Sequence, residues 1–446
     1  MDPDPRIAAA VGTTTAADTK EGTLLDSDTF ARLALIASGT DDSQIEALFA
    51  RMKSLGTELK ANLAPDADER TKAEAILALL YANTLRRYSE FQTRVDTALL
   101  TGDYNCVSSA VLFYYLARTV NLKVEGVETP VHAFCTVEIN GIKIDAETTN
   151  PYGFDPGSQR ELAATRASQK VYVLVPKTKY LNRKPIEERR LLALIYGNRI
   201  SLLQKKGGFE ETIGLTVDER TLQGTSFTMK DLAEPLLTYA ANLSNSGKDT
   251  ESLQFIKKVR DLYGDYDRYH EYITATVSKM VNNLMKKNDY QGSYDLLSSW
   301  VSDIDSATYA EIYRGLTFNS LQSTATTLGL NEFLAKTNAA RAYLGAGDYE
   351  KLVSYAYYLE ADRIRQSDGW LKAVAVLDRG LKELPGQRDL IQQKNVYLQN
   401  YAIEVHNKAV SAYNAGDTAG LRTILNEGLQ AVPENTLLKN DLKMIK

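Results

Sequence analysis

Three spacings of apolar and polar positions succeed one another along the chain, and each predicts a different element. From residue 27 to about 101 the spacing is helical. Ser27 or Asp28 is placed to cap one helix and Asp41 or Asp42 another, each ahead of an apolar periodic run. Thr71 to Leu100 continues the pattern, with Ile76, Leu79, Leu80 and Asn83 at turn spacing. The middle of the chain then changes period. Leu122–Val127 is a strand candidate, and Val131, Ala133, Cys135, Val137 and Ile139 share one face of the next strand. Asn140-Gly141 follows, a strong signal for a two-residue hairpin turn, with Ile142–Ala146 as the return strand. Lys170–Val175 reads as one more strand. These segments predict a small antiparallel sheet laid against helices, an α+β core.

From about Pro185 the pattern is helical to the end and weakly repetitive. Asn198, Asn338 and Asn407 each stand ten residues before a turn, at Gly208, Asp348 and Asp417, and an amphipathic helix follows each turn. Lys248-Asp249 and Asn288-Asp289-Tyr290 mark similar turns. Leu421, Ile424, Leu425 and Val432 line one face of the last, and Pro385 and Pro433 close two such helices. The pattern resembles tetratricopeptide repeats, helix–turn–helix units of ~34 residues, with irregular and longer spacing, and implies an α-solenoid of about five or six helix pairs. The expected organisation is a flexible leader over 1–26, an α+β domain over 27–185 and a helical repeat domain over 186–446.

Composition narrows the functions. A chain of 446 residues, 44% of them apolar, holds two or more domains with sizeable cores. A net charge of −5 with no long basic block argues against bulk binding to nucleic acid or anionic membrane. No run is long enough for a transmembrane helix. Two cysteines make no disulfide framework. The Ala/Thr-rich leader carries no apolar signal segment. An exported chain trimmed of its signal, periplasmic or lipid-anchored, could begin this way, and so could a cytoplasmic one.

The candidate chemistry lies between residues 106 and 150. Cys106 follows the polar turn Gly102-Asp103-Tyr104-Asn105 and opens the apolar run Val107–Val120. Free amide donors and the helix dipole at such a start favour a thiolate, and the Cys106 N–H is placed to serve an oxyanion hole. His132 lies on the polar face of its strand with Phe134, Thr136 and Glu138, whereas Cys135 points into the core as a packing residue. A thiol nucleophile needs such a base, and the base needs an acid to orient it. If Asn140-Gly141 is a two-residue turn, Ile139 pairs with Ile142, Thr136 with Asp145 and His132 with Thr149. Glu147 is then the diagonal neighbour of His132, at about 5.5–8 Å. Asp145, the alternative acid, lies about 13 Å from the partner of His132.

Cys106 at a helix start, His132-Ala133-Phe134 on a strand and Glu147-Thr148-Thr149-Asn150 beyond a glycine turn resemble the transglutaminase-like superfamily of papain-type folds. In that family the acid usually sits six residues past the turn glycine, which here is Glu147 after Gly141. The usual acid is Asp and the usual aromatic Trp, where this chain has Glu147 and Phe134. The resemblance covers roughly residues 70–176, and such a core followed by tetratricopeptide-like repeats is familiar in bacteria. It implies a transglutaminase-like core with Cys106 as nucleophile, His132 as base and Glu147 as orienting acid, acting on protein or peptide amides as a cysteine peptidase, amidase or transglutaminase. The repeats would bind substrate or a partner protein. The competing reading is a scaffold: a solenoid that holds a peptide or protein, beside an idle core. No cofactor or metal is expected. His270 and His406 stand alone in helices, Asp265-Tyr266-Asp267 lacks the spacing of a calcium loop, and no Cys/His set has zinc spacing.

Overall fold

The computed structural model describes residues 1–12, 24–156 and 175–445. Most of them are helical, with one small antiparallel sheet and many helices in a solenoid-like succession. Contacts gather the chain into two compact units, Met1–Tyr269 and His270–Lys446.

In the first unit, part of the expected leader is ordered. Helix α1 (Pro5–Gly12) buries Ile7 in the main core, and the Asp4 N–H donates to Asp218 at 2.7 Å. Residues 13–23 of that stretch lie outside the described residues. Helix α2 (Ser27–Ser38) is capped by Asp26 rather than by Ser27 or Asp28, because the Asp26 carboxylate takes the N–H groups of Asp28 and Thr29. Asp41 caps α3 (Asp42–Asn62). The helical run expected from Thr71 to Leu100 is interrupted. Helix α4 (Glu69–Asn83) ends, β1 (Arg87–Tyr88) pairs in parallel with β2 (Asp103–Tyr104), and the short α5 (Val95–Thr101) lies between them. The interruption sets residues 88–92 beside the start of the next helix.

That helix, α6 (Cys106–Thr119), is the centre of the unit, with every side chain from Val107 to Ala117 buried. It packs on a sheet of order β5-β4-β3-β6, formed by β5 (Ile142–Ala146), β4 (His132–Ile139), β3 (Val124–Thr129) and β6 (Lys184–Ile186). All neighbouring strands are antiparallel. Asn140 and Gly141 both have positive φ, 51° and 78°, as a type I′ hairpin turn requires. The register follows from that turn: Ile139 lies opposite Ile142 and Thr136 opposite Asp145. Strand β6 was not expected within a helical region, but its Pro185 is tolerable in an edge strand, which has a side without ladder partners. Of the strand expected over Lys170–Val175, residues 170–174 lie outside the described residues, and Val175 is buried. Helix α7 (Glu188–Lys205) places Leu191, Leu192, Ile195 and Tyr196 in the same core as α6, so this core continues past residue 186. Helices α8 (Glu211–Gln223), α9 (Met229–Asn245) and α10 (Asp249–Tyr263) follow, each packed on its predecessor.

The division at Tyr269–His270 falls within α11 (Asp267–Lys286). Beyond it come α12 (Tyr290–Ser299), α13 (Ser306–Thr324), α14 (Leu330–Ala339), α15 (Ala346–Asp368), α16 (Trp370–Glu383), α17 (Arg388–Asn414), α18 (Thr418–Ala431) and α19 (Thr436–Met444). Leu352, Val353 and Leu377 join α15 and α16 in one core with Phe333 and Leu390. Pro385 and Pro433 stand just past the ends of α16 and α18, where a proline cannot continue a helix. Among the described residues, no helix is long and apolar enough to cross a membrane.

Candidate active site

Asn105 fixes the start of α6. Its Oδ1 accepts the N–H groups of Val107 and Ser108 at 2.9 and 3.1 Å, and the Ser108 hydroxyl accepts the Asn105 N–H at 3.0 Å. This capping box leaves the Cys106 N–H, at the first helical position, without an intrahelical acceptor and at the positive end of the helix dipole. Asn105 Nδ2 also donates to the Glu90 carbonyl at 3.2 Å, which ties the interrupted segment to the helix start. Cys106 is partly exposed. Cys135 is fully buried, its thiol points at the Ala110 carbonyl, and burial pushes its pKa up, so it is an inert packing thiol.

His132 opens β4 and is buried. Its Nε2 lies 2.8 Å from Glu147 Oε2, and the Cys106 sulfur is among the groups that raise the ring's pKa. Burial disfavours the charged ring, but the charge of the Glu147 carboxylate, the hydrogen bond that the ring donates to it and the influence of the Cys106 sulfur outweigh it, and the pKa is pushed up to about 10.

Glu147 reaches His132 by a different route from the diagonal strand position expected. Strand β5 ends at Ala146, and Glu147 opens a turn closed by its own N–H to the Gly153 carbonyl at 2.8 Å and by the Gly153 N–H to the Asn150 carbonyl at 3.0 Å. Oε1 accepts the Thr149 N–H at 3.0 Å and the Thr149 hydroxyl at 2.7 Å; Oε2 accepts His132 and the Tyr180 hydroxyl. Burial alone would raise the carboxyl pKa. The His132 charge, then the hydrogen bonds of His132, Tyr180 and Thr149, overcome it and hold the pKa below the usual range. Asp145 is engaged elsewhere: Arg183 grips it with bonds of 2.6 and 3.0 Å. The same guanidinium stacks 4.9 Å above the Phe134 ring.

The strand face expected to be polar is covered. Phe134 and Thr136 are buried with His132. Tyr180, at the end of a 3₁₀ turn over Lys177–Tyr180, presents its ring edgewise at 5.8 Å from His132 and 5.2 Å from Phe134. With Val127 and Val175 it forms a small second core on this side of the sheet. Two further ties fix the segment after Glu147. The Ser109 and Thr148 hydroxyls lie 2.8 Å apart, and the Tyr81 hydroxyl donates to the Thr148 carbonyl at 2.9 Å. Tyr180 carried no periodic signal, since it lies in the polar stretch Lys177-Thr178-Lys179-Tyr180, 33 positions beyond the acid it touches. The Thr149 bonds were legible only as a Thr beside the acid.

Gly153 sets the turn that presents Glu147. A Cβ there would lie 1.9 Å from the Glu147 carbonyl oxygen and 2.9 Å from that of Asn150. Gly153→Ala must therefore open the turn. The expected result is a stability loss of about 1–3 kcal/mol by denaturant unfolding, with slower alkylation of Cys106 at neutral pH. An unchanged alkylation rate would separate the turn from the site.

The other two histidines are partnered within the second unit rather than solitary. His270 Nδ1 meets the Asp303 carbonyl at 3.0 Å, and His406 Nδ1 meets Asp441 at 2.7 Å. Among the described residues, no group of His, Cys, Asp and Glu is arranged to hold a metal ion.

No family model and no curated protein matches the chain. Among solved structures, a crystal structure of menin, described as revealing the binding site for Mixed Lineage Leukemia protein, aligns with 87% of this chain and 95% of its own, at 12% identity and a TM-score of 0.31. At that score the likeness carries no argument about this chain.

Proposed function

We propose that this chain is a thiol-dependent acyl-transfer enzyme with a transglutaminase-like core, acting on protein or peptide amides, and that its helical repeats bind the substrate or a partner protein. The observation that carries this reading is the line Cys106–His132–Glu147: a partly exposed thiol at a capped helix start, a buried imidazole and a buried, fully hydrogen-bonded carboxylate. The raised pKa of His132 favours imidazolium, the partner a thiolate needs.

In the proposed reaction, the Cys106 sulfur attacks the amide carbon. A C–S bond forms while the carbonyl π pair moves to oxygen, which the Cys106 N–H receives. On collapse the carbonyl re-forms and the C–N bond breaks, and His132 gives its proton to the departing amine. His132 then takes a proton from water or from an amine as that nucleophile attacks the thioester. The second tetrahedral intermediate collapses with the C–S bond breaking, so that the product leaves as an acid or a new amide and the Cys106 thiolate is regenerated beside the protonated His132. Glu147 keeps the imidazole oriented and stabilises its charged form without taking its proton.

Alkylation tests the thiol. Iodoacetamide should modify Cys106 readily below about pH 8 while Cys135 stays unlabelled, and His132→Ala should move the reaction to higher pH. Equal, slow labelling of both thiols would remove the catalytic reading and leave the scaffold with an idle core.

A further inference from the structure

We infer that Tyr180 is a positioning residue of this site: its phenol holds Glu147 in the ionised, oriented form that His132 requires. The kinetic consequence rests on the acyl-transfer reading; the effect on the His132–Glu147 pair does not. Glu147 is buried, and a buried carboxylate stays charged only when its lone pairs are met. Thr149 meets Oε1 with two donors. On Oε2 His132 would stand alone without the Tyr180 hydroxyl. The ring contributes separately, through edge contacts that wall off His132 and Phe134.

The placement of Tyr180 is itself held from both sides. Val175, before it, is buried in the same small core. Arg183, after it, is clamped to Asp145 and Phe134, and Lys184–Ile186 then joins the sheet beside β3. Asp145, the alternative acid, thus acts at one remove by anchoring the strap that delivers the phenol. The charged and titratable groups around Glu147 are His132 on β4, Cys135 on the same strand, Cys106 on α6, Tyr88 on β1 and Tyr180. Of these, only His132 and Tyr180 donate to the carboxylate, and only Tyr180 can lose its donor without removing the base.

The test uses the full-length chain and two substitutions at one position. Tyr180→Phe removes the hydroxyl and keeps the ring. Site-specific 3-fluorotyrosine at 180 keeps the hydroxyl and makes it a stronger donor. With three histidines in the chain, the His132 ring signals can be followed by nitrogen-detected NMR from pH 3 to 8. Protonation of Glu147 breaks the charged pair and moves these signals. Tyr180→Phe should raise the midpoint of that acid transition by about one pH unit, as expected for losing a hydrogen bond to a charged acceptor, and 3-fluorotyrosine should lower it. The acid limb of Cys106 alkylation should move in the same directions. A purely structural role predicts no ordered shift across the two replacements, so an unmoved NMR midpoint would overturn the inference. Should Tyr180→Phe fail to fold, the fluorinated chain decides alone. If Cys106 is no more reactive than Cys135 while the His132 midpoint still shifts, the acyl-transfer reading fails and the role of Tyr180 stands.

Discussion

Glu147→Gln should abolish most of the activity, by on the order of 10⁴-fold in kcat, on any amide substrate the wild-type chain turns over. The amide can still accept a hydrogen bond from His132, but it carries no charge to stabilise imidazolium, and its NH₂ end can force the wrong tautomer. Asp145→Asn is the matched control. Its carboxylate serves the exposed Arg183 guanidinium at the sheet edge and does not touch His132, so its loss should lower kcat far less than Glu147→Gln does. Equal losses in the two variants would mean that the contact between His132 and Glu147 has no chemical role.

The contrast between these two acids shows how far the residues alone could carry the argument. The Asn140-Gly141 turn dictates the pairing of Thr136 with Asp145, and once that register is fixed Asp145 is too far along the strand to serve His132. The start of α6 was equally legible, because a polar Asn105 before an unbroken apolar run has few other uses. What stayed hidden depends on contacts between distant segments. Local spacing continues helically through residues 84–94, yet the chain leaves the helix there because Tyr88 finds a strand partner in Tyr104. The path of Glu147 off the strand depends on Gly153, a position whose constraint is visible only once the turn is built. Tyr180 reaches the site through a strap whose anchors, Val175 and Arg183, have no pattern in common. The same limit applies to α1, whose single buried Ile7 gives too little periodicity to mark a helix.

His132→Ala should be the most destabilising single change at the site, and its cost should depend on pH in a direction that identifies the cause. In the wild-type chain the folded pKa of His132 is raised. Its contribution is complete below the unfolded value of 6.5 and is lost as pH rises through about 10. The folded pKa of Glu147 is depressed, so its contribution is complete above the unfolded value of 4.5 and is lost as pH falls. The pair therefore stabilises the fold most between about pH 4.5 and 6.5. Removing His132 takes away the largest influence that keeps Glu147 charged and leaves burial opposed only by Tyr180 and Thr149. A buried, unpaired charge of this kind costs about 3–5 kcal/mol. The carboxyl can escape that cost by binding a proton, so the variant's deficit should be largest near pH 6.5, where the wild-type pair is still complete, and should shrink as the pH falls toward 4. The acid dependence is thus reversed: lowering the pH weakens the wild-type pair and relieves the variant. Guanidinium unfolding of both chains at pH 4.5 and pH 6.5 measures this directly. The same deficit at both values would mean that the lost packing of the imidazole ring, rather than the stranded charge of Glu147, accounts for the cost.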